Sequence, residues 1–265
     1  MPPANGRLFC APIPVDWSIL KTTRPGIVWS KPFSASRKTA ATMSATLDPQ
    51  HPRTRSAHPP RGCGMVLGHH WSFNLRQDPK RLAFVLARYR FAAEMTGQCR
   101  SILELGCSEG IGAPMLARDK SSYTGVDLDE DAIETARDNW PANRLRFLAG
   151  DFLGQSYGRF DAAISLDVIE HIAPDGEYRF FQTVTDNLKD HGIAVIGTPN
   201  KTADGYASPM SKAGHINLFD GRRLITTMRR WFHHAFLFGM NDELVHTGFT
   251  PMAHYLVCVG CNPKR

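Results

Sequence analysis

Long hydrophobic runs are missing from this sequence of 265 residues. The longest apolar stretches, such as GIAVIG at 192–197, fall far short of the roughly 18 residues that a membrane-spanning helix requires. The sequence therefore predicts no transmembrane segment. A hydrophobic content of 42%, with 10% aromatic residues, is instead typical of a globular domain that buries its own core.

Cysteine is scarce and shows none of the spacings of a disulfide framework. The six cysteines lie at positions 10, 63, 99, 107, 258 and 261, and no apolar segment typical of a secretory signal is found. Cys258 and Cys261 form a CxxC pair within a strand-like pattern, but two thiolates cannot complete a tetrahedral zinc site. We therefore expect reduced thiols in a cytoplasmic protein.

Acidic residues are almost absent from the first 62 positions. This segment holds two of the 25 Asp and Glu, but nine of the 31 Lys and Arg and ten of the 18 prolines. We expect 1–62 to be a disordered, Pro-rich basic tail and 63–265 to be the folded domain. A start codon placed too far upstream, with Met43 or Met65 as the true beginning, is the favoured explanation; an organellar targeting segment and a basic arm for an anionic partner are the alternatives.

The positive net charge of +6 belongs to this tail and not to the domain. Residues 63–265 keep 22 basic and 23 acidic side chains, a net charge of −1. A domain of this charge lacks the basic surface that nucleic-acid binding requires, so no nucleic-acid partner is expected.

Strand and helix patterns alternate after the tail. Apolar strand-like runs lie at 101–105, 123–128, 145–150, 160–167 and 192–198, and helical periods lie at 78–95, from about 111, and at 129–140, 176–189 and 219–232. A long loop is predicted after Pro199, and two final strands near 234–239 and 253–259 have no helix between them. The pattern predicts an α/β fold with a mostly parallel sheet, helices on both faces and an antiparallel pair at the end. Ligands bind such sheets beyond the carboxyl ends of the strands.

A glycine-rich turn follows the first of these strands. The stretch ILELGCSEGIG (102–112) places Gly106, Gly110 and Gly112 within seven positions, which predicts that something approaches the backbone closely. A nicotinamide fingerprint, G-x-G-x-x-G, does not fit, because Gly106 and Gly110 are four apart with Ser108 between them. The turn suits a ligand without a pyrophosphate.

These residues resemble motif I of the class I S-adenosylmethionine-dependent methyltransferases, an acid followed by G-x-G-x-G, here with Ser108 in place of the central glycine. Asp127, 21 residues after Gly106 at the end of the second strand, is similar to the family's ribose-binding acid. Further similarities are GDF at 150–152 and FDAAISLDVIEHI at 160–172. The resemblance implies a Rossmann-like sheet of seven strands over 70–260.

The resemblance also implies a set of residues that contact the cofactor. Glu104 would bind the ammonium of the methionine part, Asp127 the ribose hydroxyls, and Asp151 with Phe152 the adenine. The whole expected set is Glu104, Gly106, Cys107, Ser108, Gly110, Asp127, Leu128, Asp151, Phe152 and Leu166. The expected reaction is methyl transfer to a small-molecule acceptor, most simply O-methylation of a saccharide, phenolic or lipid-linked hydroxyl.

Histidines near the ends of the fourth and fifth strands are the candidate bases. Methyl transfer to a hydroxyl requires the removal of its proton, and imidazole has a suitable pKa. We expect His215, in the loop after the fifth strand, to act as the base, with His171 second. A structural hydrogen bond is the competing interpretation of His171, whereas His246 and His254 are more simply parts of the scaffold.

Asp167, Glu170 and His171 form a D-x-x-E-H pattern that is similar to a metal-binding motif of ubiquinone-pathway O-methyltransferases. Because E-H recurs at this place in relatives that use no metal, a divalent metal is a possible but not the favoured interpretation, and no residue is assigned as a metal ligand. Two further functions remain open. One is a cofactor-binding module without catalysis; the other, which the failed fingerprint weighs against, is a nicotinamide-dependent oxidoreductase.

Overall fold

The structure is a computed structural model that describes residues 64–120 and 122–265. The predicted tail at 1–62 lies outside the described residues. Among those residues, no helix combines the length and the apolar character that a bilayer span requires.

A single eight-stranded sheet forms the centre of the domain. Its strands are β1 (Ser101–Leu105), β2 (Ser122–Asp127), β3 (Leu145–Ala149), β4 (Phe160–Leu166), β5 (Leu188–Pro199), β6 (Phe232–Asn241), β7 (Leu244–His246) and β8 (Tyr255–Pro263). They lie in the order β3-β2-β1-β4-β5-β8-β6-β7. Strands β1 to β5 pair in parallel, and β8 runs antiparallel to both β5 and β6. The predicted α/β fold with an antiparallel last strand is confirmed.

The sheet has one strand more than the seven predicted. The extra strand, β7, pairs with the end of β6 through a two-residue turn in which Asp242 has a φ of 52°. Asn241 and Leu244 are partners across this turn. A strand of only three residues shows too little alternation to be recognised in the sequence.

Seven α-helices accompany the sheet in the described residues. They are α1 (Gly68–Gln77), α2 (Lys80–Met95), α3 (Ala113–Leu116), α4 (Glu130–Asn139), α5 (Glu177–Asp186), α6 (Pro209–Gly214) and α7 (Gly221–Trp231). The segment after β5 was predicted to be a long loop, but it contains a 3₁₀ turn at Lys201–Tyr206 followed by α6. Ser208 starts α6, because its hydroxyl accepts a hydrogen bond from the Ser211 N–H, and Pro209 fits the first turn.

Both faces of the sheet are buried, which explains why its strands are almost continuously apolar. On one face Ile102 packs with Tyr89 of α2 and with Ala136 of α4. On the other face Leu103, the next residue of β1, packs with Phe181 of α5 and with residues of α7. Successive residues of a strand point to opposite faces, so a strand between two helical layers needs apolar residues at every position.

The CxxC residues belong to this framework. Cys258 is fully buried in β8, and burial raises the pKa of its thiol to about 12. Cys261 lies in the same strand, and all four cysteines of the described residues are unpaired.

Candidate functional site

The site is built at the carboxyl edge of the sheet, where β2, β1 and β4 are neighbours. This order brings the glycine turn that follows β1 between Asp127, at the end of β2, and Asp167, which follows β4. Residues more than 60 positions apart in the chain therefore meet at one edge, as the parallel fold predicts.

Asp127 holds the two segments that follow β1 and β2. Its Oδ2 accepts a hydrogen bond of 2.7 Å from the Ser108 N–H, and its Oδ1 accepts one of 3.0 Å from the Asp129 N–H. Ser108 itself has a φ of 47°, a conformation that costs energy for a residue with a side chain. The carboxylate remains partly exposed, and each of its oxygens has a second lone pair for a ligand.

The glycines of the turn make room for side chains of the protein itself. Gly106 has a φ of +83°, and a Cβ on it would lie 2.2 Å from Val168 Cγ2. Gly110 has a φ of +70°, and a Cβ there would come within 3.0 Å of the Phe147 ring. Side chains of the protein therefore approach the backbone closely at Gly106 and Gly110; the approach of a ligand to this turn stays a prediction.

Glu104 is fully buried and already has two partners. Its Oε1 accepts a hydrogen bond of 2.7 Å from the Tyr89 hydroxyl, and its Oε2 accepts one from the Tyr123 hydroxyl. Burial raises the pKa of Glu104 to about 7, against the lowering effect of these two donors. The structure thus gives both oxygens of Glu104 a tyrosine partner; contact of Glu104 with the ammonium of a cofactor, directly or through water, stays a prediction.

The other expected cofactor residues divide into exposed and buried groups. Leu128 is 67% exposed beside Asp127, and Asp151 is exposed after β3. Cys107, Phe152 and Leu166 are buried and belong to the cores on the two faces of the sheet. The buried three can shape the walls of the site, whereas Leu128 and Asp151 are the ones that face outwards.

His171 and His215 come together although they are 44 positions apart. Their rings lie edge to face with centroids 5.1 Å apart. Nδ1 of His171 lies 3.0 Å from the carbonyl oxygen of Gly214, which can only accept, so this nitrogen carries the proton in the neutral ring and Nε2 is the free base. Nδ1 of His215 is buried without a partner, and burial followed by the nearby His171 lowers the pKa of His215.

Glu170 lies beneath this histidine pair. It is fully buried; its Oε2 accepts a hydrogen bond of 3.0 Å from the Thr198 hydroxyl, and its Oε1 has no partner. Burial, followed by the charge of Asp167, raises the pKa of Glu170 to about 8. The Glu170 backbone carbonyl accepts from the N–H groups of Ile216 and Asn217, which fixes the loop that carries His215.

The metal-ligand set that the D-x-x-E-H pattern suggested is not assembled. Both oxygens of Asp167 accept hydrogen bonds from Nη1 of Arg88, at 2.8 and 2.7 Å. The donor atoms that do lie within 4.8 Å of one another belong to Glu170, His171 and His215. Asp167 is thus paired with Arg88, and it does not belong to this set of close donor atoms.

Sequence reasoning missed Arg88 and Tyr255. The guanidinium of Arg88 on α2 lies 3.7 Å from the centroid of the Tyr255 ring, at the start of β8. The Tyr255 hydroxyl is buried without a partner. Arg88 sits among several arginines of a helical pattern, so nothing in the sequence pairs it with Asp167, 79 positions later.

Comparison with protein families identifies the domain that contains this edge of the sheet. A family model described as a methyltransferase domain matches residues 102–192, which contain the glycine turn, Asp127 and the E-H pair. These residues form a methyltransferase domain. For these residues, the methyltransferase domain predicted from the motifs is thereby confirmed.

Relatives of this methyltransferase domain include enzymes of one named pathway. A ubiquinone biosynthesis O-methyltransferase of Caulobacter vibrioides is 32% identical over 141 residues, which are 49% of this chain and 55% of that protein. A mitochondrial ubiquinone biosynthesis O-methyltransferase of Arabidopsis thaliana is 30% identical over 154 residues, 53% of this chain and 47% of that protein. The chain spans about half the length of these curated relatives.

Solved structures confirm the fold of the methyltransferase domain. A TehB-like S-adenosylmethionine-dependent methyltransferase from Corynebacterium glutamicum superposes with a TM-score of 0.54 at 24% identity, covering 73% of this chain and 98% of that one. The N-methyltransferase NodS from Bradyrhizobium japonicum, in complex with S-adenosyl-L-homocysteine, gives a TM-score of 0.53 at 17% identity, covering 72% of this chain and 92% of that one.

Replacing Gly106 by Ala should destabilise the domain by about 2–4 kcal/mol, because the positive φ and the contact with Val168 both oppose a Cβ. The measurement is the free energy of unfolding in urea. Adding Val168→Ala removes the opposing methyl group and should recover about 1–2 kcal/mol of the loss caused by Gly106→Ala. Strictly additive losses in the double variant would contradict the steric explanation.

Replacing Glu104 by Gln should raise stability at high pH. The folded-state pKa of about 7 exceeds the unfolded value of 4.5, so the folded protein retains a proton that the unfolded chain has released. Stability from this group therefore falls as pH rises from about 4.5 to about 7, by roughly 3 kcal/mol in total. The charge of Asp127 also raises the pKa of Glu104, whereas the hydrogen bonds from Tyr123 and Tyr89 lower it.

Urea unfolding of both proteins between pH 5 and pH 8.5 checks this effect. Glu104→Gln should match the wild type near pH 5 and exceed it by about 1–3 kcal/mol above pH 7. Glu134→Gln, at an exposed position of α4, is the matched control and should follow the wild type throughout. Parallel pH profiles for Glu104→Gln and the wild type would show that Glu104 titrates normally.

Proposed function

We propose that this chain transfers the methyl group of S-adenosylmethionine to a hydroxyl group of a small molecule. One observation carries the proposal. The turn after β1, the carboxylate of Asp127 and the His171–His215 pair lie along three neighbouring strand ends of a methyltransferase domain. The residues that the family resemblance assigns to the cofactor therefore share one edge of the sheet with a candidate base.

The exposed groups near β2 suit an adenosine. Asp127 has free lone pairs for two hydroxyl donors, and the adjacent Leu128 offers an exposed apolar side chain to a ring. Asp151 is an exposed acceptor for an amine. S-adenosylmethionine supplies a methyl group already activated on a sulfonium. Its net positive charge at neutral pH fits the carboxylates of Asp127 and Asp151, and the family resemblance assigns the same two residues.

The histidine pair would remove the acceptor's proton. The Nδ1–H of His171 is bound to the Gly214 carbonyl, which orients the ring and leaves Nε2 as a base. The lowered pKa of His215 keeps that ring neutral near pH 7, so it too can accept a proton. We infer that His215 takes the proton. His171, whose ring contacts that of His215, is the second candidate base.

The acceptor class follows from several weaker supports. The relatives from Caulobacter vibrioides and Arabidopsis thaliana are named O-methyltransferases, which favours a phenolic, saccharide or lipid-linked hydroxyl. The net charge of −1 on residues 63–265 weighs against a nucleic-acid acceptor. Four unpaired cysteines in the described residues fit a reducing compartment such as the cytoplasm.

Replacing Asp127 by Ala should weaken cofactor binding by roughly ten- to a hundredfold, the loss expected for hydrogen bonds to a charged group. Calorimetry with S-adenosyl-L-homocysteine measures the affinity without requiring an acceptor. Asp138→Ala, at an exposed position of α4, is the control and should bind as the wild type does. Because Asp127 also holds Ser108, each variant is first checked for an unchanged near-UV circular dichroism spectrum.

Equal affinity of the wild type and a folded Asp127→Ala variant would exclude the assigned cofactor site. A nicotinamide cofactor binding in place of S-adenosyl-L-homocysteine would favour an oxidoreductase. Tight binding of S-adenosyl-L-homocysteine with no methyl transfer to any phenol, sugar or lipid-linked alcohol would favour a binding module without catalysis.

Replacing His215 by Ala should lower kcat by roughly 10²–10⁴-fold, the usual contribution of a positioned base, while cofactor affinity stays nearly constant. The measurement is the transfer of a tritiated methyl group to the best acceptor among the phenols, sugars and lipid-linked alcohols. His191→Ala is the matched control, because His191 is exposed near the start of β5, away from the carboxyl edge. A loss confined to His171→Ala would reverse the roles of the two histidines, and full activity of both variants would remove the pair from the mechanism.

A further inference from the structure

The first helix and the residues just before it make polar contacts with the domain. None of the residues of α1 is fully buried. The N–H of Val66, just before α1, donates to Asn139 Oδ1 at 2.9 Å, and Asn139 Nδ2 donates to the Val66 carbonyl at 2.6 Å. The His70 N–H donates to Glu109 Oε1 at 2.8 Å. A helix held in this way separates from its domain more easily than one with a buried apolar face.

Three side chains meet where α1 reaches the start of α4. Nε2 of His70 lies 2.7 Å from Asp129 Oδ2, and the ring centroid of the adjacent His69 is 4.6 Å from that of His70. The donor atoms of His69, His70 and Asp129 all lie within 4.8 Å of one another. This cluster is separate from the histidine pair that follows β4.

We propose that His69, His70 and Asp129 bind a divalent late transition-metal ion, with Zn²⁺ as the typical case, and that the ion fastens α1 to the start of α4. Two imidazoles and one carboxylate are a ligand set for zinc and its neighbours, whereas Mg²⁺ and Ca²⁺ require oxygen ligands. Water completes the tetrahedron.

The surroundings favour a cation at this place. The first turn of α4 adds the acidic side chains Glu130 and Asp131. Asp129 is held in position because its Oδ1 accepts from the Ala132 N–H at 3.0 Å, which caps α4, while its Oδ2 faces His70. A ligand atom on a fixed cap loses little entropy when it binds.

Little movement is needed to form the site. Two ligand atoms of a tetrahedral zinc ion are separated by roughly 3.3 Å, given metal–ligand distances of about 2.0–2.1 Å. The 2.7 Å contact between His70 and Asp129 must open slightly, and His69 must move inwards. Both histidines are exposed, so rotation of their side chains is unhindered by packing. One hydrogen bond would be replaced by three coordinate bonds that bridge two helices.

Calorimetric titration of the full chain with Zn²⁺ tests the site. Since Glu170, His171 and His215 could also take the ion, all variants carry His171→Ala, which removes that competing set. Adding His69→Ala or Asp129→Asn should remove one binding event or weaken it by at least about 10–100-fold, the loss that even an outer-shell partner causes. The Asp129→Asn substitution keeps a side-chain oxygen that can cap α4.

His233→Ala is the matched control, because His233 and His234 form a second adjacent pair of exposed histidines, located on β6. This control should leave the Zn²⁺ isotherm unchanged. An isotherm that is the same for His69→Ala, Asp129→Asn and the background protein would overturn the proposal, and so would an equal loss in His233→Ala.

Hydrogen exchange supplies the second readout. At a Zn²⁺ concentration 100 times Kd, opening of α1 should be suppressed by up to about 100-fold, and the amides of Gly68–Gln77 should exchange more slowly by a comparable factor. His69→Ala should abolish this protection while α1 exchanges as in the metal-free protein. Zinc-dependent protection elsewhere in the chain, with none in α1, would also overturn the proposal.

Discussion

The carboxylate of Asp127 is the point on which the rest of the edge depends. By accepting the N–H groups of Ser108 and Asp129, it fixes the turn after β1 and the start of α4 relative to β2. Ser108 then reaches Glu109 through its hydroxyl, and Glu109 in turn receives the backbone N–H of His70. A single acid thus organises a chain of contacts that runs from the sheet to α1, and it does so while keeping lone pairs for a ligand.

The part of the carboxyl edge near β4 and β5 contains features that lower the stability of the domain. Unpartnered buried polar atoms occur there on Glu170, His215 and Tyr255, and Asp167 has a φ of 58° that is unfavourable for a residue with a side chain. Each such feature costs on the order of 1–3 kcal/mol. Buried groups without partners and strained backbone are expected where a ligand will supply the missing contacts. They lie at the carboxyl ends of β4 and β5 and at the start of β8, where the proposed function places the acceptor.

The sequence was sufficient for the fold because strand and helix periods are strong and local. The sequence also predicted correctly that Asp127 lies at the end of β2, because its spacing from Gly106 is that of the family pattern. It could not reveal that Val168 is the group that requires Gly106, since the two meet only when β1 and β4 pair. The proximity of His171 and His215 likewise depends on how the loop after β5 folds back onto the Glu170 carbonyl, a contact with no periodic signal.

The proposed cofactor and the proposed zinc ion would act on one connected set of groups. A ligand on Asp127 would stabilise the arrangement of Ser108 and Asp129, and an ion on Asp129 would stabilise the same arrangement from the other side. Two ligands that favour the same conformation raise each other's affinity by an equal factor. The link does not require a change of shape, because both ligands would hold the same hydrogen bonds around Asp127 and Asp129. Cofactor binding would therefore strengthen zinc binding by the same factor by which zinc strengthens cofactor binding.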